Sequence, residues 1–164
     1  MPTIRRARPA DLPTLAALQS ELDAPSPDLL ASFAAVGACL VAIPDGERVG
    51  VDRNGDATDD GRRPVGYVLV VGRGDADGDG GDDAHLAELV VHPDHRREGY
   101  GRALVEAAVD RQAPGTRLTL LVAIDNDPAR SLYESAGFRP IAYQPRFYEG
   151  GDGRADAVVY AYDA

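Results

Sequence analysis

Short apolar runs alternate along the chain with stretches in which apolar residues recur every three or four positions. The runs are typical of strands in a buried sheet, and the recurring pattern is typical of amphipathic helices. Strands are expected at residues 3–6, 39–43, 65–72, 86–91, 118–123, 138–143 and 155–162. Helices are expected at residues 12–22, 27–37, 102–112 and 128–136, with Asp11 as the cap of the first helix.

This order of elements predicts a mixed, mostly antiparallel central sheet flanked by helices on both faces, an α/β (α+β) fold class. Residues 1–164 are expected to form a single domain, because no repeat or second domain is apparent. Two acidic segments, at about residues 44–64 and 73–83, are expected to be loops. The second imitates a calcium-binding loop, but Leu86 stands where the bidentate glutamate is needed, so no metal site is expected.

The charge of the chain limits the partners that it can take. Its 27 acidic residues outnumber its 17 basic residues, which are all arginines, and the formal net charge is −10. Such a field repels nucleic acid and anionic membranes, and a lysine-free acidic surface is typical of a halophilic organism. No apolar run approaches a membrane span of about 20 residues, and the single Cys39 cannot form an internal disulfide. A cytoplasmic monomer or homodimer is therefore expected.

A strand-to-helix segment at residues 90–103 combines basic residues with glycines. Backbone N–H groups in the first turn of a helix lack intrahelical acceptors, and the helix dipole gives that end partial positive charge. A diphosphate can therefore dock there, and Gly99 and Gly101 allow it to come close. The dinucleotide-binding fingerprint is absent, because Gly101 is followed by Arg-Ala-Leu where a third small residue is needed.

Two sequence blocks resemble the GCN5-related N-acetyltransferase (GNAT) superfamily. The first is Arg96-x-x-Gly99-x-Gly101, which follows a strand and His-Pro, as in the acetyl-CoA signature of that superfamily. The second, at residues 126–138, reads Asn-Asp-Pro-Ala-Arg-Ser-Leu-Tyr-Glu-Ser-Ala-Gly-Phe. From Leu86 to its end, the chain most resembles the enzymes that acetylate the N-terminal alanine of a ribosomal protein.

The resemblance implies that an acetyl group passes directly from acetyl-CoA to a primary amine. It implies that the pantetheine arm pairs with the strand at Leu89, Val90 and Val91, where a backbone N–H polarises the thioester carbonyl. Tyr133 matches the tyrosine that donates a proton to the departing thiolate, and Asn126 matches a position that contacts the cofactor. The residues expected around the pyrophosphate are Arg96, Arg97, Glu98, Gly99, Tyr100, Gly101 and Arg102.

The general base has several candidates. In the ribosomal-protein acetyltransferases a glutamate lies twelve residues before the tyrosine, and here that position is Leu121. Glu88 is the carboxylate of the central strand, and His85 points to the opposite face by simple alternation, unless a bulge reverses this. Glu88 ranks above His85, and a water chain without a dedicated base is the third alternative.

The C-terminal segment bears on the identity of the acceptor. Residues 146–157 resemble the hairpin that covers the peptide with a tyrosine in protein N-terminal acetyltransferases, and Tyr148 would be that tyrosine. A peptide N-terminal α-amine is therefore one expected acceptor. Small amines are an alternative, because similar hairpins occur in relatives that act on them. A non-catalytic module that binds acetyl-CoA is another, favoured by Leu121.

Overall fold

The computed structural model describes residues 2–22, 28, 30, 39–44, 63–72, 83–150 and 153–164. At 146–150 and 153–155 the description covers the backbone only. The expected helix at 27–37 and the expected acidic loops at about 44–64 and 73–83 lie almost wholly outside these residues.

A sheet of seven strands runs through the described chain. The strands are β1 Thr3–Arg6, β2 Cys39–Ile43, β3 Gly66–Gly72, β4 Asp83–Val91, β5 Arg117–Ala123, β6 Arg139–Gly150 and β7 Gly153–Asp163. Their spatial order is β1-β2-β3-β4-β5-β7-β6, and every neighbouring pair is antiparallel except β4 with β5. The expected mixed, mostly antiparallel sheet is thereby confirmed.

Helices cover both faces of this sheet. They are α1 Leu12–Gln19, α2 Tyr100–Asp110 and α3 Asp127–Ser135, and short 3₁₀ turns lie at Pro9–Asp11 and Pro93–His95. On one side, here the α1 face, Leu15 and Leu18 pack with residues of β2, β3 and β4. On the other, the α2 face, Leu104 of α2 and Tyr133 of α3 pack with residues of β4, β5 and β7. Burial of these apolar faces holds the layers together.

The start of α1 is fixed differently from the expected cap. The Asp11 side chain makes no hydrogen bond to an N–H group of α1. It accepts instead from both terminal nitrogens of Arg5, at 2.7 and 3.0 Å, and from the Arg8 N–H at 2.7 Å. Burial alone would raise the pKa of Asp11, but these hydrogen bonds and the charge of Arg5 hold it below its ordinary value. The carboxylate therefore ties β1 to α1.

The central strand β4 carries one extra residue relative to β3. Leu86 pairs with Val70, and Glu88 pairs with Leu69, so Ala87 has no partner in this register. Side chains alternate between the two faces of a strand at every position, and an extra residue shifts that alternation. The bulge therefore changes which face each later side chain of β4 points to.

This bulge places His85 and Glu88 on the same face. Leu86, before the bulge, packs into the α2-face core, and Leu89, after it, does so too. Their neighbours His85 and Glu88 therefore both point to the α1 face. The expectation that they face opposite sides by simple alternation is wrong, because the bulge lies between them.

Gly66 lies where β3 passes close to β4. A β-carbon there would stand 2.7 Å from the Val90 carbonyl oxygen and 3.3 Å from methyl groups of Val91 and Leu104. We expect Gly66→Ala to lower the free energy of unfolding by about 1–3 kcal/mol, the usual cost of overpacking. Urea unfolding followed by circular dichroism measures this loss.

Gly72→Ala, at the other end of β3, is the matched control. A β-carbon there meets no described atom within 4 Å. The free energy of unfolding should stay within about 0.5 kcal/mol of the parent value, as for other uncrowded surface changes. Equal losses in both variants would show that the close approach of β3 to β4 is not the cause.

Candidate functional site

The sheet divides between β4 and β5. These parallel strands pair only at residues 83–85 with 117–119, and no pair beyond His85 and Thr119 joins them in the described chain. Meanwhile β4 stays paired with β3 as far as Val91, and β5 stays paired with β7 as far as Ala123. We call the space between residues 86–91 of β4 and residues 120–123 of β5 the β4–β5 gap.

The backbone of β4 presents N–H groups to this gap. The His92 N–H donates to the Val65 carbonyl oxygen on the β3 side, at 2.7 Å. Because the direction of the N–H groups alternates along a strand, that of Val90 also points towards β3, whereas those of Leu89 and Val91 point into the gap. Such groups suit an extended ligand arm that pairs like an added strand.

The loop that leads into α2 carries a series of backbone N–H groups, those of residues 97–102, which we call the donor array. None of the backbone N–H groups from Arg97 to Arg102 donates to an atom of the described residues. Arg97 and Gly99 have left-handed φ values of 66° and 89°, and alternation of such residues forms anion-binding concavities. The start of α2 adds its partial positive charge. The loop can therefore hold a diphosphate through its backbone.

The protein itself engages the side chains of Arg96, Tyr100 and Arg102. Arg96 Nε donates to the Val91 carbonyl oxygen at 3.2 Å, which holds the loop against the end of β4. Arg102 Nε donates to Glu106 at 2.8 Å, and the ring of Tyr100 lies in the α2-face core. Anion binding by Tyr100 would therefore come from its N–H group.

The turn before the loop is held by local contacts. His92 Nδ1 accepts from the Asp94 N–H at 3.1 Å. His95 Nδ1 lies 3.2 Å from Glu98 Oε2, and the His95 ring packs edge-on against Tyr100 with centroids 5.9 Å apart. These contacts fix the turn that precedes the donor array.

Glu88 lies at the centre of a buried polar cluster. The residue is only 5% exposed. Gln19 Nε2 lies 3.1 Å from each carboxylate oxygen, and the Tyr67 hydroxyl donates to Oε2 at 2.7 Å. These donors are uncharged, and they come from α1 and β3. The cluster therefore links α1 to the sheet through a carboxylate.

The buried carboxylate changes the acidity of its neighbours. Burial raises the pKa of the Tyr67 hydroxyl, and its hydrogen bond to Glu88 raises it further. Burial, followed by the charges of Glu88 and Asp11, raises the pKa of the Cys39 thiol to about 12. At neutral pH, Tyr67 therefore remains a donor and Cys39 a neutral thiol, which is a poor nucleophile.

His85 lies at the closed end of the gap. Its Nδ1 is 3.1 Å from Thr119 Oγ1, and that hydroxyl donates to the Ala84 carbonyl oxygen at 3.4 Å. Burial lowers the pKa of this half-buried imidazole from its ordinary value of 6.5. The ring is therefore neutral at pH 7, with one nitrogen able to accept a proton.

Tyr133 and Asn126 are positioned by α3. Asn126 caps this helix, since its Oδ1 accepts from the Ala129 N–H at 3.3 Å. Tyr133 is buried on the α2 face, with its ring edge-on to Phe138 at a centroid distance of 5.9 Å. The Phe138 N–H also bonds to the Tyr133 carbonyl oxygen at 3.0 Å. The ring thus lies on the face opposite to both candidate bases.

The remaining candidates lie beyond β4. Leu121 pairs with Val159, and because Leu120 packs into the α2-face core, Leu121 points to the α1 face. Position 121 therefore shares a face with Glu88. Tyr148 pairs with Ala155 in the β6–β7 hairpin, and its side chain lies outside the described atoms.

Two kinds of feature are absent from the described residues. No cluster of histidine, cysteine or carboxylate side chains there is arranged to hold a metal ion. None of the helices seen in that part of the chain has the length and apolar character needed to cross a membrane.

Gln19, Tyr67 and Thr119 are site residues that the sequence reasoning missed. Gln19 follows Leu15 by one helical turn, so a polar residue on the leucine face of α1 was a readable signal. Tyr67 lies in an apolar strand, where a buried hydroxyl needs a partner. Thr119 carried no such signal, since threonine is common in strands.

The chain is similar to known proteins in family, sequence and structure. The model of the acetyltransferase (GNAT) family matches residues 17–138. The [ribosomal protein bS18]-alanine N-acetyltransferase of Escherichia coli strain K12 is 39% identical over 82 residues, which are 49% of this chain and 55% of that protein. The chain thus spans about half the length of this relative.

Solved structures share the fold over nearly the whole chain. The crystal structure of the ribosomal-protein-S18-alanine N-acetyltransferase from Escherichia coli has a TM-score of 0.73 and 27% identity, covering 98% of this chain and 92% of that one. Arabidopsis thaliana NAA60 in complex with acetyl-CoA has a TM-score of 0.73 and 20% identity, covering 100% of both chains. The second similarity concerns the fold alone.

Proposed function

The chain belongs to the acetyltransferase (GNAT) family, and on that premise we propose that it transfers the acetyl group of acetyl-CoA directly to a primary amine. The observation that carries this proposal is the β4–β5 gap, which is lined by strand N–H groups and lies beside the donor array of residues 97–102. A peptide N-terminal α-amine is the proposed acceptor class. The similarity to an enzyme named for such an acceptor supports it.

The described residues fit acetyl-CoA in three respects. The N–H groups of Leu89 and Val91 would pair with the amide groups of the pantetheine arm. The backbone N–H groups of residues 97–102 would hold the pyrophosphate, with the arginines there adding positive charge. Asn126, exposed at the start of α3, would add a side-chain amide contact.

Each step of the reaction then has a candidate residue. Acetyl-CoA supplies an activated acyl group, because its thioester carbonyl carbon accepts an amine. The N–H of Leu89 or Val91 would stabilise the negative charge that develops on the carbonyl oxygen. The Tyr133 hydroxyl would give a proton to the departing sulfur, and a base on the α1 face would take one from the ammonium.

The chemistry of the acceptor favours an α-amine over a lysine side chain. An unperturbed α-amine has a pKa of about 7.7 to 8.0, so a useful fraction is neutral near pH 7. The ordinary lysine value of about 10.4 demands a stronger base. Leu121 cannot act as that base, and Glu88 is already bonded to Gln19 and Tyr67.

We expect acetyl-CoA with a mixed pool of peptides, amino acids, polyamines and aminoglycosides to yield mainly peptides acetylated at the N-terminus. The pool would be assayed at high salt, and the products read by mass spectrometry with fragmentation to locate the acetyl group. Peptides with a pre-blocked N-terminus and a free lysine are the matched control. They should remain unmodified.

Two other results would contradict this prediction. Acetylation confined to small non-peptide amines would leave only the acetyltransferase activity and remove the peptide acceptor. Binding of acetyl-CoA without acetylation of any amine would favour a non-catalytic module.

The donor array makes Gly101 a sensitive position. It is the second residue of α2, and a β-carbon there would stand 3.4 Å from a Leu132 methyl group, an ordinary contact. Gly101→Gln and Gly101→Glu should both weaken acetyl-CoA binding, the charged variant by at least about 10-fold more, because a carboxylate repels the pyrophosphate. Calorimetric titration measures both affinities. Unchanged affinity in both variants would rule out this placement of the pyrophosphate.

Removing the Tyr133 hydroxyl tests its proton-donating role. Tyr133→Phe should lower kcat by about 10²-fold, the usual effect of losing one general acid, and leave acetyl-CoA affinity nearly unchanged. Tyr162→Phe is the matched control, because Tyr162 packs against the same core and its hydroxyl has no hydrogen-bond partner among described residues. A parent-like kcat in Tyr133→Phe would reduce Tyr133 to a packing role.

A further inference from the structure

The two candidate bases on the α1 face have different surroundings. Glu88 is held by Gln19 of α1 and Tyr67 of β3, which lie on the side of β4 away from β5. To accept a proton from a substrate, this carboxylate would have to give up hydrogen bonds that stabilise its buried charge. Glu88 therefore acts as an anchor for α1, in that its carboxylate holds Gln19, and with it the helix, against the sheet.

The His85 side chain makes its contact on the other side of β4, towards β5. It occupies the last paired position before the strands separate, and its imidazole contacts Thr119 on β5. The ring is half-buried, whereas Glu88 is only 5% exposed. His85 is therefore the candidate base whose side chain contacts β5, at the closed end of the β4–β5 gap.

The contacts of Thr119 define which imidazole nitrogen carries the proton. A threonine hydroxyl has one hydrogen, and the Ala84 carbonyl oxygen, 3.4 Å from Oγ1, can only accept, so both contacts of Thr119 are hydrogen bonds only if this hydrogen is directed to Ala84. Oγ1 can then engage His85 Nδ1 only as an acceptor, so Nδ1 carries the hydrogen. In a neutral ring, Nε2 is left with the free lone pair. Both hydrogen bonds are made only in this tautomer.

We propose that His85 Nε2 is the general base of the amine transfer and that Thr119 is the positioning residue that fixes its tautomer. This inference rests on the acetyl transfer proposed above. It replaces the ranking of Glu88 over His85 with a division of roles, in which Glu88 anchors α1 and His85 takes the proton.

The proton balance of the step is complete with residues of the chain. His85 Nε2 takes one proton from the ammonium, directly or through one water, and later releases it to solvent. The amine lone pair forms the new C–N bond to the carbonyl carbon, and the C–S bond breaks. The sulfur takes the phenolic proton of Tyr133, which is replaced by the second proton of the amine nitrogen. The products are an acetylated amine and a free thiol.

Within the described part of the chain, the charged groups around His85 lie on its own strand and on the neighbouring strands. On the elements around it, the described titratable groups towards the α1 face are Asp83 and Glu88 on β4, Tyr67 on β3, Arg117 on β5 and Asp163 on β7. Arg117 and Asp163 are paired at 2.8 Å, and Tyr67 and Glu88 are hydrogen-bonded to each other. Burial is the cause that lowers the pKa of His85. Its ring therefore loses its proton below the ordinary histidine value of 6.5.

The tautomer can be measured without substrate. Nitrogen-15 NMR of the imidazole rings distinguishes a protonated from an unprotonated ring nitrogen, and the three histidines are assigned by single substitutions. We expect His85 at neutral pH to carry its hydrogen on Nδ1. In Thr119→Val, which keeps the shape without the hydroxyl, the population should shift towards Nε2–H, and Thr119→Ser should restore it. An Nε2–H tautomer in the parent would overturn the role of Thr119.

The base is tested by the pH dependence of kcat with an acceptor that the parent acetylates. The parent rate should fall as the pH drops through the lowered pKa of His85. His85→Gln should lose about 10²-fold or more in kcat and lose this acidic limb. Thr119→Val should lose about 2- to 10-fold, the factor of one neutral hydrogen bond, and Thr119→Ser should recover it. Glu88→Gln should retain the limb.

The outcomes separate this inference from the proposed function. If the parent acetylates no amine, the function fails, and the NMR result still decides the tautomer. If the parent is active and Glu88→Gln, rather than His85→Gln, removes the acidic limb, the base assignment is overturned. Acetyl-CoA affinity, measured by calorimetry in every variant, identifies any that fail to fold, and His85→Asn then takes the place of His85→Gln.

Discussion

The single extra residue in β4 is the constraint on which the site depends. Because Ala87 has no partner on β3, the side chains before and after it change faces. His85 and Glu88 come to the same side, while the N–H groups of Leu89 and Val91 point into the gap. Without the bulge, the polar residues would be divided between two apolar layers, where unpaired polar groups are costly.

The buried carboxylate of Glu88 carries a large free-energy cost of desolvation on the α1 face. Moving a charged group out of water costs several kcal/mol, about as much as several buried apolar side chains contribute. The hydrogen bonds from Gln19 and Tyr67 offset this cost only while α1 keeps its position. The polar cluster therefore fixes the position of α1 on the sheet. The leucines of α1 alone would allow several positions, because apolar packing is not directional.

The periodicity of the sequence predicted most of the described strands and helices to within about three residues, because alternation and amphipathic spacing arise from burial. The exception is β6, which continues to Gly150 although its expected end is residue 143. The donor loop was also readable, since Gly99 adopts a left-handed φ that glycine favours. The bulge was not, because Ala87 is an ordinary strand residue. The partner of Asp11 was equally hidden, because Arg5 lies on another element and only tertiary contact brings it close.

The division of the sheet has a consequence for the stability of the whole protein. Two sheet edges face each other inside the molecule, and exposed edges elsewhere are sites of unwanted strand pairing and aggregation. Here the edges are short, and one of them carries a bulge, a feature that discourages strand pairing at sheet edges. A ligand arm that lies between them would pair with the backbone groups of β4 from Val91 towards the closed end of the β4–β5 gap. Binding of this ligand would stabilise the folded state by mass action. A larger fraction of the protein would then be folded, and protected from aggregation, when the acetyl donor is abundant.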